Sequence, residues 1–226
     1  MNYSQPLTLT GKYATLVPLS MTHCDDLIEA VKDGELWNVW YNAVPTPDDM
    51  AQEIERRLTL QTEHKMNAFA IIDNKTQKAV GMTTYLNIDE ENRRVEIGYT
   101  WYKKSVQKTP MNTECKLMLL THAFEKFNCI AVNLCTSTYN HNSRRAIERL
   151  GAKLDGILRN RVIQAKNGII RDSCIYSIID SEWPVVKLNL EYKLSEYMQK
   201  NYTNNISIID TPTYKNNLTS NNVTIN

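Results

Sequence analysis

The stretch that decides the fold is NHNSRRAIERLG, residues 140–151. Its apolar positions predict a short helix over Asn142–Leu150, and Gly151 is a residue suited to the left-handed C-terminal end of such a helix. An alternating run, Ile130–Ser137, comes just before it and predicts a strand. The segment is therefore a strand that leads directly into a helix.

A second informative run lies upstream, in RVEIGYTWY, residues 94–102, which alternates like a strand. The two faces are predicted to carry Val95, Ile97 and Tyr99 on one side and Glu96, Gly98 and Thr100 on the other. Gly98 inside a strand indicates a bulge or a close backbone approach. The polar loop 103–112 follows, and then a helix predicted over Asn112–Phe127. Free N–H groups and the helix dipole favour an anion at such a helix start, although an ordinary connecting loop explains the same pattern.

The rest of the chain alternates strand-like and helix-like segments. Strands are predicted over Tyr13–Leu19, Ala68–Asp73, Ala79–Ile88, Arg94–Tyr102, Ile130–Ser137, Lys153–Gln164 and Ile170–Ile179. Helices are predicted over Met21–Lys32, from Thr46 to Leu60, and over Asn112–Phe127, Asn142–Leu150 and Glu182–Gln199. This order predicts an α/β (α+β) fold with a mixed, mostly antiparallel seven-stranded sheet and helices on both faces. We expect one domain over residues 1–200 and a flexible Asn/Thr-rich tail over 201–226.

Composition excludes several classes of protein. The 226 residues are 42% hydrophobic and 23% charged, with a net charge of +1, which argues against a nucleic-acid or membrane-surface protein. No apolar run approaches the ~20 residues of a membrane span, and the first residues lack the apolar core of a secretory signal. The five cysteines include no C-x-x-C pair, and the four histidines are dispersed, so we expect no disulfide framework and no metal site. A cytoplasmic protein with reduced thiols is the resulting expectation.

The run 140–151 resembles the late motif of the GNAT superfamily of acyl-CoA N-acyltransferases, and GAKLDGILR, residues 151–159, is similar to the passage that follows it there. With EIGY at 96–99 and NGIIRD at 167–172, the chain resembles the RimJ/RimL-like branch, related to ribosomal-protein N-terminal acetyltransferases. The resemblance covers about Leu7 to Leu194. It implies an enzyme, monomer or homodimer, that uses acetyl-CoA to acetylate a primary amine, on a protein N-terminus or a small molecule.

The resemblance also implies where the coenzyme binds. The superfamily loop Q/R-x-x-G-x-G/A corresponds to residues 107–112, with Pro110 in place of the first glycine and Asn112 in place of the second. Proline has no N–H to donate to a phosphate, so we expect binding to survive but to be weaker. The implied coenzyme-binding residues are Tyr99, Gln107, Lys108, Thr109, Met111, Asn112, Thr113, Glu114, Asn140 and Ser143. Asn140 is equally suited to capping the next helix, and Ser143 to a place in that helix's first turn.

Glu96 is the candidate general base, because a carboxylate on the strand beside the coenzyme loop could accept the amine's proton. The alternative is an ion pair with Arg93, Arg94 or a cation on another strand. The tyrosine that often acts as general acid in the family corresponds to Ile147, so that acid is absent. This absence and Pro110 leave open a second function, a non-catalytic acyl-CoA-binding or sensor module.

An aromatic cluster, Trp37, Trp40 and Tyr41, lies between the first two predicted helices. In the resembled family this region borders the acceptor pocket, so these side chains are candidates for acceptor binding. Core packing is the alternative role for such a cluster.

Overall fold

A computed structural model describes residues 3–164 and 167–209. The strands are β1 Leu9–Thr10, β2 Ala14–Pro18, β3 Met66–Asp73, β4 Lys78–Asp89, β5 Arg94–Tyr102, β6 Ala131–Ser137, β7 Lys153–Ile163 and β8 Ile170–Ile179. The α-helices are α1 Cys24–Lys32, α2 Met50–Thr62, α3 Met111–Glu125, α4 His141–Leu150 and α5 Trp183–Ile209. The strands form one sheet in the order β1-β2-β3-β4-β5-β6-β8-β7. All neighbours are antiparallel except β5 and β6, which are parallel.

The predicted fold class is confirmed, but the strand number of seven is wrong. The additional strand, β1, has two residues, Leu9 and Thr10, and it pairs with the edge of β2. A strand of that length has no periodicity in the sequence. The predicted start of the second helix at Thr46 is also wrong. The Asp49 N–H donates to Thr46 Oγ1 at 3.1 Å, so Thr46 closes a turn that precedes α2.

The helix α5 extends past the predicted domain boundary at residue 200 and ends at Ile209. The predicted flexible tail begins at Asn201, and its residues 210–226 lie outside the part of the chain that the structure describes. In the residues that are described, no helix is both long and apolar enough to cross a membrane.

Helices cover both faces of the sheet, as predicted, and each face has its own core. On one face α3, α4 and α5 pack on the sheet, and Val95, Ile97 and Leu119 are all buried there. On the other face α1 and α2 bury Leu27 and Ile54 against β3 and β4.

The strands β5 and β6 separate shortly after they meet. Their parallel pairing is limited to Arg94–Glu96 of β5 and Ala131–Asn133 of β6, although both strands continue beyond these residues. The sheet therefore opens into a cleft that begins at Glu96.

A bulge in β5 lies at the mouth of this cleft. Gly98 pairs with Thr84 and Trp101 with Met82, so two residues of β5, Tyr99 and Thr100, lie opposite one residue of β4. Tyr99 has a positive φ of 46°. The prediction that Tyr99 joins Val95 and Ile97 on the core face is wrong: its side chain is 43% exposed, because the bulge ends the alternation.

Candidate active site

Glu96 occupies the last paired position of β5 before the cleft, opposite Asn133 of β6. Its carboxylate accepts a hydrogen bond from Asn87 Nδ2 at 2.8 Å. Burial raises the pKa of Glu96, and the Asn87 hydrogen bond and the charge of Arg161 oppose this rise only in part. A carboxylate with a raised pKa is a better proton acceptor at neutral pH than an ordinary one.

The alternative role of Glu96, an ion pair with Arg93 or Arg94, is not what the structure contains. In residues 3–164 and 167–209, no cation lies within salt-bridge distance of Glu96. Arg94 donates instead to Asn133 Oδ1 at 3.1 Å. The Glu96 carboxylate is therefore available for chemistry at the cleft.

The N-terminus of α3 presents free backbone donors. Pro110 is its N-cap, with helical φ and ψ of −66° and −15°, as first-turn proline geometry requires. Within the described part of the chain, the amides of Asn112 and Thr113 donate to no acceptor. The Met111 amide donates only to Thr109 Oγ1, at 3.4 Å. Two free N–H groups at the positive end of a helix dipole are an arrangement that favours an anion.

The loop before α3 is closed by its own side chains. Gln107 Nε2 donates to the Tyr102 carbonyl oxygen at 3.0 Å. The Thr109 hydroxyl donates to the Val106 carbonyl oxygen at 2.7 Å. Both side chains thus shape the loop. Lys108, two residues before the Pro110 cap, is exposed and has a positive φ of 63°.

The Glu114 amide, which was expected to bind the coenzyme, has a backbone acceptor in the structure. That amide already donates to the Pro110 carbonyl oxygen at 2.9 Å. The buried Glu114 carboxylate accepts backbone N–H groups of Lys12, Tyr13 and Ala14 at 2.7, 2.7 and 2.9 Å. Glu114 therefore fixes the start of β2 on α3, which its position in a first helical turn gave no reason to expect.

Asn140 and Ser143 have the structural roles that were left open. Asn140 is the N-cap of α4, and its Oδ1 accepts the Ser143 N–H at 3.0 Å. Ser143 lies in the first turn. Ile147, at the position of the family's tyrosine acid, is buried in the core. No general acid is supplied from that position.

In the aromatic cluster, one side chain packs against the core and another is partly exposed. Trp37 packs against the α1–α2 core. Trp40 is 41% exposed and contacts Tyr41 edge-on, with ring centroids 5.5 Å apart. Its other neighbour is Tyr139, at 5.3 Å, which precedes the α4 cap and was not predicted as a site residue. Trp40, Tyr41 and Tyr139 therefore join the segment after α1 to the end of β6.

Sequence reasoning also missed Lys116, which is buried on α3 beneath the β5 bulge. Its Nζ donates to Thr100 Oγ1 at 2.9 Å, and Thr100 shares a hydrogen bond of 2.8 Å with Thr83 Oγ1. Burial lowers the pKa of the Lys116 ammonium to about 8. A lysine in a helix of apolar pattern gives no signal in the sequence that it points inward.

Replacing Lys116 with Met is expected to raise the free energy of unfolding at pH 7, by up to about 3 kcal/mol. The unfolded chain holds this proton up to pH 10.5, whereas the folded chain releases it near pH 8. Wild-type stability therefore rises between these values, and the advantage of the Met variant shrinks.

Urea unfolding at pH 7 and at pH 10.5 measures the Lys116→Met difference, with the exposed Lys126→Met as the control. A difference that does not change with pH would contradict the prediction.

The described residues contain no cluster of metal ligands. Among them, no three or more His, Cys, Asp or Glu side chains are grouped so as to hold a metal ion.

Comparison with known proteins identifies the family. A sequence profile for the Acetyltransferase (GNAT) domain matches residues 14–153. YdaF of Bacillus subtilis (strain 168), named provisionally as a ribosomal N-acetyltransferase, is 34% identical over 103 residues, which are 46% of this chain and 55% of YdaF. The uncharacterized N-acetyltransferase p20 of Bacillus licheniformis is 26% identical over 181 residues, 78% of this chain and 98% of p20.

A crystal structure from T. thermophilus, of a protein assigned provisionally as an acetyltransferase, superposes with a TM-score of 0.74. It is 30% identical, and the alignment covers 84% of this chain and 98% of that one. Because the GNAT profile spans more than half of the chain, the protein belongs to the GNAT acetyltransferase family, as its motifs predicted.

Proposed function

We propose that the protein is an acetyl-CoA-dependent N-acetyltransferase that acetylates a primary amine by direct attack on the thioester. The observation that carries the proposal is the parting of β5 from β6 immediately after Glu96. This opening leaves a carboxylate of raised pKa at the mouth of a cleft. Enzymes of the family use acetyl-CoA as the acyl donor.

The start of α3 suits the coenzyme's pyrophosphate. The free amides of Asn112 and Thr113 would hold its oxygens, and the helix dipole favours their charge. Lys108 adds a positive charge in solvent nearby. Pro110 supplies no N–H, so this site has one donor fewer than a glycine-containing loop would provide.

Replacing Asn112 with Pro is expected to weaken acetyl-CoA binding by about 10-fold or more, because it removes one N–H that would donate to a charged group. Proline is tolerated in a first helical turn, so α3 should form. Calorimetry with acetyl-CoA measures the loss.

Ala51→Pro is the matched control, because Ala51 is the second residue of α2, as Asn112 is of α3. Equal coenzyme affinity in the Asn112→Pro variant and the wild type would exclude this amide from the phosphate site.

The chain's own contribution to the chemistry is positioning and proton transfer. The neutral amine attacks the thioester carbon, a C–N bond forms, and the C–S bond breaks. Glu96 accepts the proton that the amine nitrogen loses, directly or through one water. With Ile147 in place of a tyrosine, the thiolate leaves unprotonated or takes a proton from water.

The second candidate, a coenzyme-binding sensor without catalysis, is favoured by the buried Ile147 and by Pro110. A thiol-release assay with acetyl-CoA and a panel of amines, peptides and aminoglycosides separates the two. We expect amine-dependent thiol release. Coenzyme binding without turnover of any acceptor would favour the sensor.

A further inference from the structure

The acceptor would enter from the face of the sheet on which Glu96 lies. This is the face on which α1 and α2 pack, since Leu86, paired with Glu96, contacts their core. The two helices lie on β3 and β4, whereas the same face of β6 and β8 continues beyond them.

Strand register places charged groups on this open face. Glu96 pairs with Asn133, and Ser137, four residues along β6, pairs with Ser173 of β8. Side chains of paired residues, and of every second residue, share a face. Glu96, Cys135 and Arg171 therefore project on the same side of the sheet.

The charges of two arginines act on this group of side chains. The pKa of the Cys135 thiol is raised by burial and by the charge of Glu96, while the charges of Arg171 and Arg161 oppose this rise. Arg161, on β7, also acts on Glu96. The charges of both arginines thus act on Cys135, and the charge of Arg161 also acts on Glu96.

The guanidinium groups lack a carboxylate of their own. No salt bridge to Arg161 or Arg171 occurs in the described ranges, 3–164 and 167–209. Arg171 Nε is buried and makes no hydrogen bond. The nearby acids are engaged elsewhere: Asp155 accepts from Ser177 Oγ at 2.9 Å and Asp172 from the Asn160 N–H at 2.8 Å.

We propose that Arg171 binds a carboxylate of the acceptor, with the charge of Arg161 adding to the attraction, so that the substrate is a primary amine with a carboxylate close to its amino group. The inference rests on the proposed function. The planar fork of an arginine matches a carboxylate with two parallel hydrogen bonds. The unpaired donor on Arg171 is what such a ligand would satisfy.

The same charges disfavour other acceptors. A polyamine or an aminoglycoside would bring further positive charge beside two guanidinium groups, which repel it. For a carboxylate-bearing amine, the arginines also disfavour the ammonium form and so favour the neutral amine that attacks.

The carboxylate could belong to an acidic side chain next to a peptide N-terminus or to a free amino acid, and the test separates these two sources. One arm compares a peptide that has Asp at its second position with the same peptide carrying Asn. The other arm compares a free amino acid with its carboxamide. In the arm that the enzyme uses, kcat/KM is expected to be about 10-fold or more higher for the carboxylate than for its amide.

Arg171→Gln should reduce this carboxylate preference to about 1 while leaving acetyl-CoA affinity unchanged. Arg171→Lys, which keeps the charge but loses the fork, should retain part of it. The control is Arg159→Gln, an exposed arginine of the same strand as Arg161 that does not shift the pKa of Glu96.

The inference is overturned if carboxamide substrates or polyamines are acetylated as fast as carboxylate-bearing amines. It is also overturned if Arg171→Gln slows the acetylation of both members of a pair equally. Failure of the proposed function looks different, because acetyl-CoA would then bind with no amine of any charge turned over.

Discussion

Replacing Glu96 with Gln is expected to lower kcat/KM for the acceptor by about 10²–10⁴ at pH 7. Gln keeps the shape and the contact with Asn87, but it cannot accept the amine's proton. Acetyl-CoA affinity should remain unchanged, because Glu96 lies on the face of the sheet opposite α3, whose core contains its neighbours Val95 and Ile97. The loss should shrink at high pH, where the amine is already neutral.

Steady-state kinetics from pH 6 to 10, with calorimetry for the coenzyme, measure both effects. Glu91→Gln is the control, since Glu91 is exposed in the turn between β4 and β5. Full activity of Glu96→Gln at pH 7 would make the residue structural. Water, or Asp89 and Glu90 at the end of β4, would then be the next candidates for the base.

Replacing Glu53 with Ala is expected to lower the free energy of unfolding by about 3–5 kcal/mol, because it leaves a buried cation without its partner. The side chain of Arg57 is 1% exposed, and its Nε donates to Glu53 Oε1 at 2.8 Å. It also donates to Thr84 Oγ1 at 2.9 Å and to the Tyr99 carbonyl oxygen at 3.3 Å. The pair therefore supports the β5 bulge as well as α2.

The pKa of Glu53 fits this role. Burial alone would raise it, but hydrogen bonds and charges from Arg56 and Arg57 outweigh burial, and the pKa is lowered. The contribution of Glu53 is therefore present above its unfolded pKa and is lost as the pH falls through the folded value. The difference between wild type and Glu53→Ala should shrink in acid.

Urea unfolding at pH 7 and in acid tests the Glu53 prediction, with Glu55→Ala, an exposed acid on the same helix, as the control. Equal stability of Glu53→Ala and Glu55→Ala at pH 7 would contradict a buried ion pair that supports the fold.

The sequence predicted those parts of the fold that are specified locally. The bounds of β5, Arg94–Tyr102, are as predicted, because strict alternation marks them. Helix α4 ends at Leu150, and Gly151 follows with a φ of 105°. This is the left-handed conformation that the glycine predicted for the end of the helix. Glu96 could be predicted as the candidate base because its face of β5 follows from the same local alternation.

The features that were missed depend on contacts distant in sequence. Tyr99 leaves the core face because the register with β4 creates a bulge, and the sequence of β5 alone does not contain that register. Glu114 binds residues about one hundred positions earlier, and Lys116 is buried by packing under the bulge. The placement of Cys135 and Arg171 on the same face as Glu96 requires the strand order β5-β6-β8.

A crystal structure of the protein with acetyl-CoA tests the central claim most directly. The account predicts pyrophosphate oxygens within hydrogen-bond distance of the Asn112 and Thr113 amides, and the thioester between β5 and β6 beside Glu96. Coenzyme bound away from the α3 N-terminus, or a thioester remote from Glu96, would contradict it.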